Sequence, residues 1–217
     1  MSETGGIPTL FRPVGLAELS LVYDSKMKRF PPRLPDQPIF YPVLNREYAR
    51  QIACEWNTKS SQSGFIGYVT QFSINSDFAA KFPVRKVGGG LHEELWVGAE
   101  QLEEFNRQIV GSIQTMEAYY GTAYCGFIPD QFGLRGKNAF EQFRCLSATL
   151  DYSGMDFICE TAANAKSVYL NFPFWVACDF ASAGIHESQK QRVLSAIVKL
   201  WNERSSEVFL CHEARRA

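Results

Sequence analysis

Between residues 46 and 74 the apolar pattern changes period, and this change constrains the fold more than any other feature of the chain. In Arg46–Trp56, the residues Ala49, Ile52, Ala53 and Trp56 recur at helical spacing, and Asn45 is placed to cap the first turn. After the polar stretch 57–64, the segment Phe65–Ile74 alternates with a period of two. Phe65, Gly67, Val69 and Gln71 share one face, and Ile66, Tyr68, Thr70 and Phe72 the other. A helix that hands over directly to a strand belongs to a mixed fold, α/β or α+β.

The rest of the first half follows the same pattern in shorter pieces. Residues 1–8 read as a flexible lead. Leu10–Val14 is a strand that Pro13 confines to an edge or interrupts. Leu16, Leu19 and Val22 suit a short helix. Pro31, Pro32, Pro35 and Pro38 mark an exposed loop that Lys26, Lys28, Arg29 and Arg33 make basic. Ile39–Tyr41 and His92–Val97 read as strands, 75–82 as a helical turn, 99–108 as a helix and 110–118 as a strand. The second half is less regular. Residues 121–138 form a long loop, 139–148 a helix and Glu187–Arg204 a helix with the stripe Val193, Leu194, Ile197, Leu200 and Trp201. Met155–Cys159 and Ser167–Phe172 suit either strands or helical pieces, and Val208–Cys211 suits a last strand. The expected division is a domain over 9–118 with a helical or mixed region, 119–217, packed on it.

Composition excludes several roles. The net charge is -1 and no long Lys/Arg run occurs, so nucleic-acid binding is not the expected function. No stretch of 18 apolar residues suits a membrane span, and the first residues lack the basic start and apolar block of a secretory signal. The six cysteines, at 54, 125, 145, 159, 178 and 211, form no CxxC pair and read as reduced thiols, which suggests a cytoplasmic protein. His92, His186 and His212 lack ligand spacing, so no metal site is expected.

Three residues carry chemistry. Glu94 follows Glu93 at the start of an apolar strand, on the face of His92 and Trp96. There it either supports developing positive charge in a cleft or faces solvent. Arg12 stands in the apolar run LFRPV, as an anion clamp or as a paired edge arginine. Tyr41 ends a short strand and can stack on a planar ring or pack in the core, and Tyr68 carries the same ambiguity. Tyr119, Tyr120 and Tyr124 either rim a pocket or pack. Cys211 and His212 are adjacent, so in a strand their side chains diverge, and no GxSxG motif is present.

The segments LFRPVGLAELSLV, IFYPVLNREYARQIACEW and HEELWVGAEQLEEFNRQIVGSI, taken in order, resemble small bacterial proteins labelled ADP-ribosylation/crystallin J1-like, and more broadly the ADP-ribosyltransferase fold. The resemblance covers about residues 9–118. It implies an α+β fold, a split two-sheet domain gripping NAD, with a less regular C-terminal extension. Arg12 matches the family's first-strand residue that holds ribose and phosphates, and Tyr41 the following aromatic. Glu94 matches the catalytic carboxylate, and the helix 46–56 the one behind the cleft. Tyr68 and His92 join Arg12 and Tyr41 as expected NAD contacts. The implied activity is NAD-dependent ADP-ribosyl transfer to an unknown acceptor. The alternative is a non-catalytic relative that binds a protein partner in an immunity or regulatory role.

Overall fold

The computed structural model describes residues 7–205 and 207–217. Residues 1–6 of the expected lead lie outside it. The chain is α+β. Its main sheet has the order β1 (Thr9–Val14), β3 (Ile66–Ile74), β7 (Ile109–Tyr120), β8 (Ala214–Arg216). The first three strands are antiparallel and β8 runs parallel to β7. Two short ribbons accompany it. One pairs β2 (Ile39–Phe40) with β6 (Val97–Gly98), and the other β4 (Arg85–Lys86) with β5 (Glu93–Glu94). Val43 bridges Phe11 of β1 to Glu94 of β5, so the β4–β5 ribbon continues the sheet beyond β1.

The two faces of β3 keep the alternation read from the sequence. Tyr68 and Phe72 point into the large core with Leu19 and Val22 of α1 (Leu16–Asp24) and Val168 and Leu170 of α7 (Ala165–Ala177). The hydroxyl of Tyr68 donates to the carbonyl of Leu170 at 2.8 Å. Val69, on the opposite face, packs with Val43, Tyr48, Ala49 and Ala53. The large core runs from Leu10 to Leu210, so both halves of the chain contribute to it. An aromatic cluster closes one end, where Phe30 meets Phe72 and Phe40 meets Phe105 edge-on. Buried Asn106, in α4 (Leu102–Arg107), accepts from the backbone N–H of Phe30 and donates to its carbonyl, which fixes the proline-rich loop over the domain.

The helix expected over 46–56 is not uniform. α2 (Arg46–Gln51) begins with Asn45 accepting from the N–H groups of Glu47 and Tyr48. It then widens into a π-turn, Ile52–Trp56. The extra residue in that turn swings Trp56 away from the buried stripe, and 55% of it is exposed. Ala53 stays on the sheet, and its backbone lies against Gly67 of β3. A Cβ at position 67 would overlap the Ala53 carbonyl and Cα, which explains a glycine inside a buried strand. Gly67→Ala is therefore expected to cost about 2–3 kcal/mol through overpacking, read as a lower midpoint in urea denaturation.

Other expectations are corrected, or resolved where two alternatives stood open. His92–Val97 is not one strand, because the chain leaves the Val43 side at Glu94 and joins Ile39–Phe40 at Val97. Met155–Cys159 and Ser167–Phe172 are helical, within α6 (Gly154–Ala163) and α7. The last strand is 214–216 rather than 208–211. α3 (Ser76–Ala79), α5 (Ala139–Tyr152) and α8 (Glu187–Arg204) complete the fold. The loop 121–138 is held by buried Asn171, whose side chain accepts from the Tyr124 hydroxyl and the Phe127 N–H. No helix among the described residues is long and apolar enough to cross a membrane.

Candidate functional site

The site forms where Pro13 interrupts a ladder. Phe11 and Val43 exchange both backbone hydrogen bonds, at 2.9 and 2.8 Å. In antiparallel register the next bonded pair would be residues 13 and 41, but proline has no N–H. The Tyr41 carbonyl is left to the guanidinium of Arg12, whose Nη1 donates to it at 3.2 Å. A cavity of about 390 Å3 lies here, lined by Arg12, Pro13, Tyr41, Val43 and Glu94. Tyr48 and Ile52 of the helix, Trp56 at the end of the π-turn and Trp96 complete its wall.

Glu94 is buried, with 9% of its surface exposed. Each carboxylate oxygen holds one neutral donor. The Tyr48 hydroxyl donates to Oε1 at 2.8 Å and the Trp96 indole N–H to Oε2 at 3.0 Å. Among the described residues no cation pairs with it. The charge is thus oriented without being neutralised, and each oxygen keeps a free lone pair. Burial, and then the bond to Glu94, pushes the Tyr48 hydroxyl up to about 12, so it stays protonated and remains a donor. Tyr41 meets Trp96 edge-on at 5.6 Å, and Arg85 lies 4.2 Å over the Trp96 ring.

Arg12 is strongly committed. It donates twice to Glu18 of α1, at 2.7 and 3.1 Å, and lies 4.5 Å over the Phe40 ring. Glu18 also pairs with Arg33 from the proline-rich loop, at 3.9 Å. Burial first, and then the charge of Arg12, holds the Arg33 guanidinium below its ordinary value. Two guanidiniums against one carboxylate leave a net positive charge on this cluster, of which Arg12 shares the cavity with Glu94. Anionic and cationic parts of one ligand would find separate partners here.

Compared with known proteins, the chain matches no family model, no curated protein and no solved structure. What the site can do is decided by its own geometry.

Arg12, Tyr41 and Glu94 come together at this cavity. Tyr68 does not reach it, since it is wholly buried on the α7 side of the sheet. His92 stands behind it. Its ring stacks on Tyr48 at 4.2 Å and its Nε2 lies 3.0 Å from Oε1 of Gln51, so it orients Tyr48. Sequence reasoning missed Glu18, Arg33 and Tyr48. The spacing Tyr48, Ile52, Trp56 was the available signal for the third. The tyrosines considered as a rim are packing and network groups. Tyr119 donates to Glu117, and Tyr120 packs edge-on to Phe174. Burial pushes the Cys211 thiol up to about 12, which removes it as a nucleophile, and His212 packs edge-on to Phe172. Groups of three or more metal-binding side chains do not occur among the described residues.

Proposed function

We propose that the cleft binds NAD and that the protein transfers ADP-ribose from it. The observation that carries this is the buried Glu94 carboxylate, held by two neutral donors and walled by aromatic rings, in one cavity with Arg12 and Tyr41.

The residues fit such a substrate. An unneutralised carboxylate among aromatic rings favours a cation or a centre that becomes positive, and the oxidised nicotinamide ring and the ribose it leaves are both of that kind. The volume, about 390 Å3, suits the nicotinamide and its ribose, with the remainder of the dinucleotide across the open side. NAD supplies an activated bond between ribose and a cationic leaving group. Glu94 stabilises the positive charge that develops on ribose as that bond lengthens, and accepts a ribose hydroxyl with a free lone pair. Tyr48 and Trp96 fix the carboxylate, so little reorganisation is needed at that moment. Tyr41 and Trp56 offer faces for the planar ring. The positive surplus of Arg12 and Arg33 suits the pyrophosphate.

The lock of Arg12 on Glu18 favours a second reading, a scaffold that binds without turnover. Release of free nicotinamide from NAD, followed by chromatography, separates the two. Release supports transfer or hydrolysis, whereas binding without release supports the scaffold. Trp56→Ala tests the ring face. The residue is largely exposed, so stability should change by less than about 0.5 kcal/mol. NAD affinity should fall roughly tenfold, the effect of a lost stacking contact of about 1–2 kcal/mol.

A further inference from the structure

Away from the Glu94 cleft, α1, α6 and the end of α8 enclose a second and larger cavity of about 580 Å3. Its wall is apolar and aromatic, made by Tyr23, Ile158, Ala162, Ala165, Leu200 and Trp201. The size and lining are those of sites that bury small organic molecules. Trp201 is anchored by its indole N–H, which donates to the Val208 carbonyl at 2.6 Å, so the wall is fixed.

The charges at the rim select the ligand. Asp24, Lys26, Arg204 and Glu207 stand there. Both acids are already matched from outside the cavity, Asp24 by Lys166 at 2.7 Å and Glu207 by Lys28 at 3.3 Å. Lys26 and Arg204 have no acidic partner within salt-bridge distance among the described residues. Two unmatched cations therefore stand over an apolar pocket.

We infer that this cavity binds an amphipathic organic anion. The ligand has an apolar body, aromatic or acyl, seated on Tyr23 and Trp201. Its carboxylate, phosphate or sulfonate head is held by Lys26 and Arg204. This site is separate from the Glu94 cleft and does not depend on the function proposed for it.

The probe is 8-anilinonaphthalene-1-sulfonate, followed by its fluorescence and by energy transfer from tryptophan. One probe per chain is expected to bind. Arg204→Glu should weaken binding about tenfold or more by turning the head-group contact repulsive. Ala162→Trp, which fills the cavity, should abolish it. Glu94→Gln should leave it unchanged. Decanoate displacing the probe would identify an acyl ligand, and 1-naphthyl phosphate an aromatic one. Displacement by neither, or binding in the folded Arg204→Glu protein equal to that of the parent, would overturn the inference. Should Ala162→Trp fail to fold, the exposed Arg204 substitution still decides it.

Discussion

Glu94→Gln is expected to slow nicotinamide release by about 10²- to 10³-fold, the effect of removing one preorganised electrostatic group from a site where charge develops. NAD affinity should fall by much less, about threefold to tenfold, because the amide has the same shape and loses only the attraction to the nicotinamide cation, whereas the charge matters most after the bond begins to break. Parallel kinetics and binding on the parent and the variant check this. The two donors on Glu94 explain why the effect should be large. Tyr48 and Trp96 hold the carboxylate in one orientation, so neither water nor a neighbouring group can replace the lost charge. An equal loss in affinity and rate would instead mean that Glu94 binds the ground state.

The second large effect concerns Glu117, which is 3% exposed in β7. It accepts from Arg46 at 2.6 Å, from Arg50 at 2.7 Å and from the Tyr119 hydroxyl at 2.7 Å. Both arginines lie on α2, one turn apart, so this carboxylate pins to the sheet the helix that carries Tyr48. Glu117→Gln is expected to cost about 2–3 kcal/mol. That is below the ~3–5 kcal/mol for breaking a fully buried pair, because the arginines can partly turn to water. Burial acts to raise the Glu117 carboxyl, but hydrogen bonds from Arg50, Tyr119 and Arg46 outweigh it and hold it below the usual range. The unfolded chain then binds more protons in the acid window. The stabilisation is present above the unfolded value of about 4.3 and is lost as pH falls through the lower folded value. Denaturation followed against pH should show this acid slope in the parent and lose that part of it in Glu117→Gln.

The contrast between the two carboxylates is physical. Glu117 is surrounded by guanidiniums and serves the fold. Glu94 is held by two neutral donors, Tyr48 and Trp96, and pairs with no cation among the described residues. In sequence both are acids in or beside apolar strands, and only the partners brought by the fold separate them.

Elements with one clean period were legible. β3 alternates because each face meets a different layer, and α8 shows a stripe because its other side meets water. α7 defeated the pattern because Ser167–Pro173 are buried on every side, so no polar face marks its period. β8, with the sequence ARR, has no apolar alternation to read. It is a strand because the β7 backbone accepts it at the sheet edge. At the site, Arg12 was conspicuous in an apolar strand, but its partner Glu18 belongs to the following helix. Tyr48 was hidden by a helix that changes pitch at Ile52. Trp56 was assigned to the buried stripe by an α-helical count that the π-turn breaks.

The most direct test of the central claim is a calorimetric titration of the protein with NAD, repeated on Arg33→Ala and Trp56→Ala. Saturable binding to one site per chain is expected, with a Kd of roughly 1 mM or tighter, weakened in both variants. Absence of heat at millimolar NAD with the protein folded, or affinity unchanged in both variants, would contradict an NAD site in the Glu94 cleft.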